Sequence, residues 1–204
     1  NMTTKLAQVS LALSLEQDKA AVSFNRATGQ AGEFNQVIMQ TSHNLITSGV
    51  AAEDVSKSFQ SLFTNVSEFS KLGPSVQAEV GETTALLGKM GVGADNVAKN
   101  IQIANKAFGM NIAQGAQLQT RFLSLANPLG LSADKVSRDF AVASKSLSAL
   151  GNSGGAATQA FAMLQAQIKA TGLEINTILS ITDQFDKFDT AAQSVGKLNF
   201  FFFF

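Results

Sequence analysis

An all-α fold of successive helical hairpins follows from three features of the sequence. Apolar residues recur at steps of three and four, the spacing that lines up one face of a helix. No stretch of comparable length alternates apolar with polar residues, so strands have no support. Glycines fall between the periodic segments, where a helix C-terminus favours a left-handed residue.

Taken in order, residues 1–48 hold an N-terminal helical pair, expected at about 3–27 and 33–47. Next come Val55, Phe59, Leu62, Phe63, Val66 and Phe69, which form one helical stripe. A helix over 80–89 follows, beyond the Gly73-Pro74 break, and another lies over 116–126 ahead of Pro128 and Gly130. Val136, Phe140, Ala143, Leu147 and Leu150 make a further stripe, and 158–170 a further helix. The last stripe runs through Ile175, Ile178, Ile181, Phe185, Phe188, Ala192 and Val195, long enough for a coiled-coil seam. Residues 200–204 are all Phe, fit no periodicity and are read as foreign to the native sequence.

A repeat underlies this order. Gly49, Gly91, Gly130 and Gly172 are 42, 39 and 42 residues apart, and an aliphatic residue stands one and six places after each. The first three start the motif Gly-(Val/Leu)-x-Ala-(Asp/Glu)-x-Val. Glu53 with Lys57, Asp95 with Lys99 and Asp134 with Arg138 are acid-before-base at i,i+4, the order that also suits the helix dipole. In the fourth unit Asn176 and Ser180 replace both partners together. Residues 49–199 therefore read as hairpin units starting near 49, 91, 130 and 172. A single hairpin cannot bury its stripe alone, so units must stack on each other or on other chains.

Composition and motif searches exclude most chemistry. Fifteen basic and fifteen acidic side chains balance, which argues against a nucleic-acid surface. With no Cys and one His, a disulfide framework, a thiolate nucleophile and a conventional zinc site are absent. His43 follows Ser42 directly, and helix neighbours point about 100° apart, so the two form no nucleophile–base pair. Gly81 and Gly88-Lys89 have six intervening residues instead of the four of a phosphate loop, and Met90 follows where Ser or Thr is required. Gly91-Val92-Gly93 lacks the third Gly of a dinucleotide fingerprint. Asp183, Asp186 and Asp189 share a helix face but match no calcium loop, and read as a solvated face. Asn65-Val66-Ser67 fits a glycosylation sequon, a frequent chance match. No catalytic residue, metal ligand or cofactor site is assigned. Apolar runs fall far short of the roughly 20 residues that span a bilayer, and the start at Asn1 is read as that of a fragment. The side chains expected to pack against partner helices or sister chains are Phe59, Phe63, Val66, Phe140, Leu147, Ile178, Ile181, Phe185 and Phe188.

The closing segment, Ile181-Thr-Asp-Gln-Phe-Asp-Lys-Phe-Asp-Thr-Ala-Ala-Gln-Ser-Val-Gly-Lys-Leu-Asn199, resembles stretches of tail tape measure proteins of contractile-tailed bacteriophages. The repeated Gly-(Val/Leu)-x-Ala-(Asp/Glu)-x-Val motif is similar to helical hairpins common in that family. The resemblance implies a virion structural protein that occupies the tail lumen or tip, helps set tail length and leaves ahead of the DNA. It also implies partners: copies of the chain, a trimer among the expected assemblies, the tail tube and baseplate hub proteins, and the host membrane during infection. Phe200 onward departs from the small residues and Gly expected after Leu198-Asn199. A cellular helical-repeat scaffold for protein–protein interaction is the other reading of the same pattern.

Overall fold

The computed structural model describes residues 2–149 and 154–181, and all regular structure among them is helical. The helices are α1 (Met2–Thr28), α2 (Asn35–Leu45), α3 (Ala52–Asn65), α4 (Pro74–Lys89), α5 (Ala94–Phe108), α6 (Ile112–Leu129), α7 (Ala133–Ala149) and α8 (Gly154–Thr171). A 3-10 turn, Phe69–Lys71, precedes α4, and helix resumes over 175–181.

Local chemistry sets the boundaries. Gly49, Gly91, Gly130 and Gly172, the four repeat glycines, have φ of 68°, 87°, 63° and 69°, the left-handed region where a Cβ is strained. Pro74 takes the first turn of α4, where its missing N–H costs nothing. Asn111 and Gln114 close a reciprocal capping box at the start of α6. Pro128, expected at a helix boundary, stands inside the final turn of α6, just before the left-handed Gly130.

The helices form two layers. In one, α1, α3, α5 and α7 pack in succession; in the other, α2, α4, α6 and α8 do the same. Each odd-numbered helix also packs on the even-numbered helix that follows it, so four hairpins stack side by side. The N-terminal pair, which lacks the motif, takes the first place in this stack.

The repeat is visible in burial as well as spacing. Positions six, seven, nine, ten, thirteen and seventeen after the glycine are buried in each of three units. They are Val55, Ser56, Ser58, Phe59, Leu62 and Val66 in the first. Val97, Ala98, Asn100, Ile101, Ala104 and Phe108 follow in the second, and Val136, Ser137, Asp139, Phe140, Ala143 and Leu147 in the third. Six positions in about three turns exceed a single stripe, because each helix is covered by its hairpin partner and by its neighbours in the stack.

Two apolar cores result, joined through α5 and α6. Every Phe among the described residues belongs to one of two aromatic clusters. Phe24, Phe34, Phe59, Phe63 and Phe69 pack with ring centroids 5.2–6.5 Å apart. Phe108, Phe122, Phe140 and Phe161 do so at 4.8–5.8 Å. Near the junction of the two cores lies a buried polar group. Asn100 Nδ2 donates to the Ser137 carbonyl at 2.7 Å and stands 2.9 Å from Ser137 Oγ and 3.1 Å from Gln119 Oε1.

Candidate functional site: the faces between stacked units

Two acids of the repeat motif, Asp95 and Asp134, make contacts between units. Glu53 and Lys57 form the expected pair at 2.8 Å, both exposed. The carboxylate holds the Lys57 ammonium above its ordinary pKa, and the ammonium holds Glu53 below its own. Asp134 pairs with Arg138, but it also reaches back one unit. Its Oδ1 accepts from the Gly93 N–H at 3.2 Å and from Asn96 Nδ2 at 3.1 Å, at the start of α5. Asp95 departs from expectation. No ion pair joins it to Lys99; its carboxylate accepts from Ser61 Oγ at 2.6 Å on α3, the preceding helix of the same layer. A hydroxyl fixed in place by packing competes well with a long, solvated ammonium chain four residues away.

The same traffic continues along the stack. Ser56 Oγ donates to the Ala20 carbonyl of α1 at 2.9 Å, and Gln102 Nε2 to Ser67 Oγ at 3.0 Å. In the second layer Asn44 Nδ2 of α2 donates to Glu82 of α4 at 2.9 Å. Lys89 Nζ donates to the Ser48 carbonyl beside Gly49. At the fourth unit Lys135 Nζ lies 3.2 Å from Asp139 and 3.4 Å from Glu174. Burial alone would push the Lys135 pKa down, but bonds to the two carboxylates outweigh it and hold the ammonium above its usual range. Asp139, itself buried, also accepts from Gln165 Nε2 of α8 at 3.1 Å.

The expected partner-facing side chains divide three ways. Phe59, Val66, Phe140 and Leu147 are at most 5% exposed and lie in the chain's own core, so they hold this fold together and present no seam to a sister chain. The reason is that neighbouring units supply the cover that the stripes require. Phe63 and Ile178 are half-buried against the same two cores, and Ile181 is exposed. Phe185 and Phe188, the Asp183, Asp186 and Asp189 face and most of the expected coiled-coil seam lie outside the described residues.

The remaining motifs fall where chemistry is least supported. Ser42 is buried and His43 exposed, pointing apart as helix neighbours do. Gly81 and Gly88 are both inside α4, a continuous helix with no phosphate-cradling loop. Asn65 Nδ2 is engaged with the Ser61 carbonyl at 2.9 Å. Among the described residues no group of three acids or imidazoles is placed to hold a metal ion, and no helix is long and apolar enough to cross a membrane.

One face stands out by being uncovered. α1 turns Ala20, Ala21 and Phe24 into the core, while Leu11, Leu15 and Val22 on its other side are 63%, 50% and 55% exposed. The spacing of four and seven keeps those three on one strip. Sequence reading missed this strip because it looked for one long stripe per helix, and α1 carries two opposed ones. The chain matches no family model, no curated protein and no solved structure.

Proposed function

We propose that the chain is a non-enzymatic structural segment of a tail tape measure protein from a contractile-tailed bacteriophage. In this reading it resides in the tail lumen or tip, associates with copies of itself and touches tail tube and baseplate hub proteins. The phage assignment rests on the similarity of residues 181–199, and of the repeated motif, to that family. The observation that carries the assembly role is the use of the motif's polar residues: Asp95 bonds Ser61 of α3, and Asp134 bonds Gly93 and Asn96 at the start of α5, so both join neighbouring units. The test is mass spectrometry of purified virions together with cosedimentation of the segment with tail tube protein. Peptides in the particle and cosedimentation are expected. Absence from every particle, with no affinity for tail proteins, would overturn the assignment.

A second reading, a cellular helical-repeat scaffold, is favoured by the side-by-side stacking itself. Stacked helices advance about 8–10 Å per unit, whereas a straight helix of 40 residues spans about 60 Å. A scaffold exchanges reach for lateral surface in this way. Flanking sequence separates the two readings, since a ruler requires a chain of many hundreds of residues.

A further inference from the structure

We infer that Asn100 is the register-setting residue of the stack: its side-chain amide admits α6 and α7 beside α5 in one alignment only. The inference rests on the packing of the hairpins and is independent of the phage assignment.

Buried apolar residues recur at nearly every turn of these helices, so apolar contact discriminates only weakly between alignments one turn, about 5.4 Å, apart. A hydrogen bond has no such tolerance. Asn100 stands on α5, 1% exposed, and its Nδ2 donates to two other helices. Gln119 Oε1 belongs to α6, which closes the hairpin; the Ser137 carbonyl and Oγ belong to α7, which opens the next unit. Sliding either helix by a turn would set these groups against apolar neighbours, where an unpaired amide is costly.

The following hairpin makes the same kind of contact with different residues. Asp139 stands nine places after Gly130, as Asn100 does after Gly91, and accepts from Gln165 Nε2 of α8 at 3.1 Å, the distance between Asn100 and Gln119. Phe122 and Phe161, the buried rings of α6 and α8, both stand 31 residues after those glycines. Gln119 precedes the first ring by three residues, whereas Gln165 follows the second by four. The contact is kept although its glutamine has moved seven positions, two turns along one face. Stability does not account for it. Asn100 Oδ1, Gln119 Nε2 and Gln165 Oε1 are buried without a partner among the described residues, and apolar groups in such places are often at least as stabilising.

Spin-label distances from pulsed electron paramagnetic resonance test this on the full chain, which has no native Cys to compete. The exposed pair Lys99→Cys and Thr120→Cys reads α5 against α6; Lys99→Cys with Lys145→Cys reads α5 against α7. With the core unaltered, each pair should give one narrow distance. Asn100→Leu with Gln119→Leu should keep the helix content and add a second distance, displaced by up to a turn, in at least one pair. Asn100→Ala with Gln119→Ala, which adds no volume, should do the same and serves if the Leu pair does not fold. Val97→Ala, a cavity in the same helix that leaves the amides in place, should keep single distances. Single distances in a folded chain lacking both amides would overturn the inference and leave the close fit of Gly115 to Ile101 as what sets the register. Equal spreading in Val97→Ala would overturn it too.

Discussion

Gly81 and Gly88 show how much a single Cβ decides here. Both lie in α4, where Gly costs roughly 1 kcal/mol of helix propensity relative to Ala. A Cβ at Gly81 would collide with the ring of Phe59 on α3, which is fully buried against Phe24 and Phe69 and has no room to retreat. A Cβ at Gly88 would meet nothing within 4 Å. Gly81→Ala should therefore destabilise by about 1–3 kcal/mol through overpacking. Gly88→Ala should stabilise by up to roughly 1 kcal/mol. Thermal unfolding followed by circular dichroism compares them, since a chain without Trp or Tyr offers no useful intrinsic fluorescence. Equal shifts in both variants would refute the close-contact explanation.

Helices are where the sequence was most legible. Spacings of three and four located the elements, and the glycine period placed the four left-handed residues that end them, because both depend on local sterics. What the stripes pack against depends on nonlocal geometry. Phe59 and Phe140 looked like surfaces for sister chains because an isolated hairpin leaves them bare; stacking covers them. Asp95 looked like half of an i,i+4 pair because that partner is readable along the sequence, whereas Ser61 comes close only through folding. Neither Asn100 nor Gln119 announced its contact with Ser137, since an amide facing an amide has no periodic signature.

The clamp that joins the helical residues 175–181 of the fourth unit to α7 makes a pH prediction at this same scale. Lys135 bonds Asp139 within α7 and Glu174 just before 175–181, and its folded pKa is raised. A raised ammonium contributes stability that is fully present below the unfolded value, about 10.4, and is lost as pH climbs through the folded one. Wild type should thus exceed Lys135→Met in urea midpoint at pH 8, and the gap should close above about pH 10.5. The absence of Tyr and Cys leaves lysines as the principal side chains titrating in that window. A gap unchanged to pH 12 would exclude the clamp.

At the scale of the molecule, two aromatic cores joined through α5 and α6 imply two cooperative parts. Native-state hydrogen exchange should place core amides of α2, α3 and α4 in one group and those of α7 and α8 in another, each group opening with its own free energy. A single opening free energy shared by both groups would contradict this. Contacts in a stack are made only with neighbours, so no long-range pairing obliges the parts to melt together.

The stacked arrangement also has a mechanical side. Each unit of about 40 residues advances the stack by roughly 8–10 Å, yet the same residues drawn taut reach about 130–145 Å. Pulled from its ends, the chain would yield unit by unit, each release lengthening it more than tenfold over the folded rise. Side-by-side hairpins thus make the protein a stored reserve of length, let out in increments whose size the glycine spacing sets.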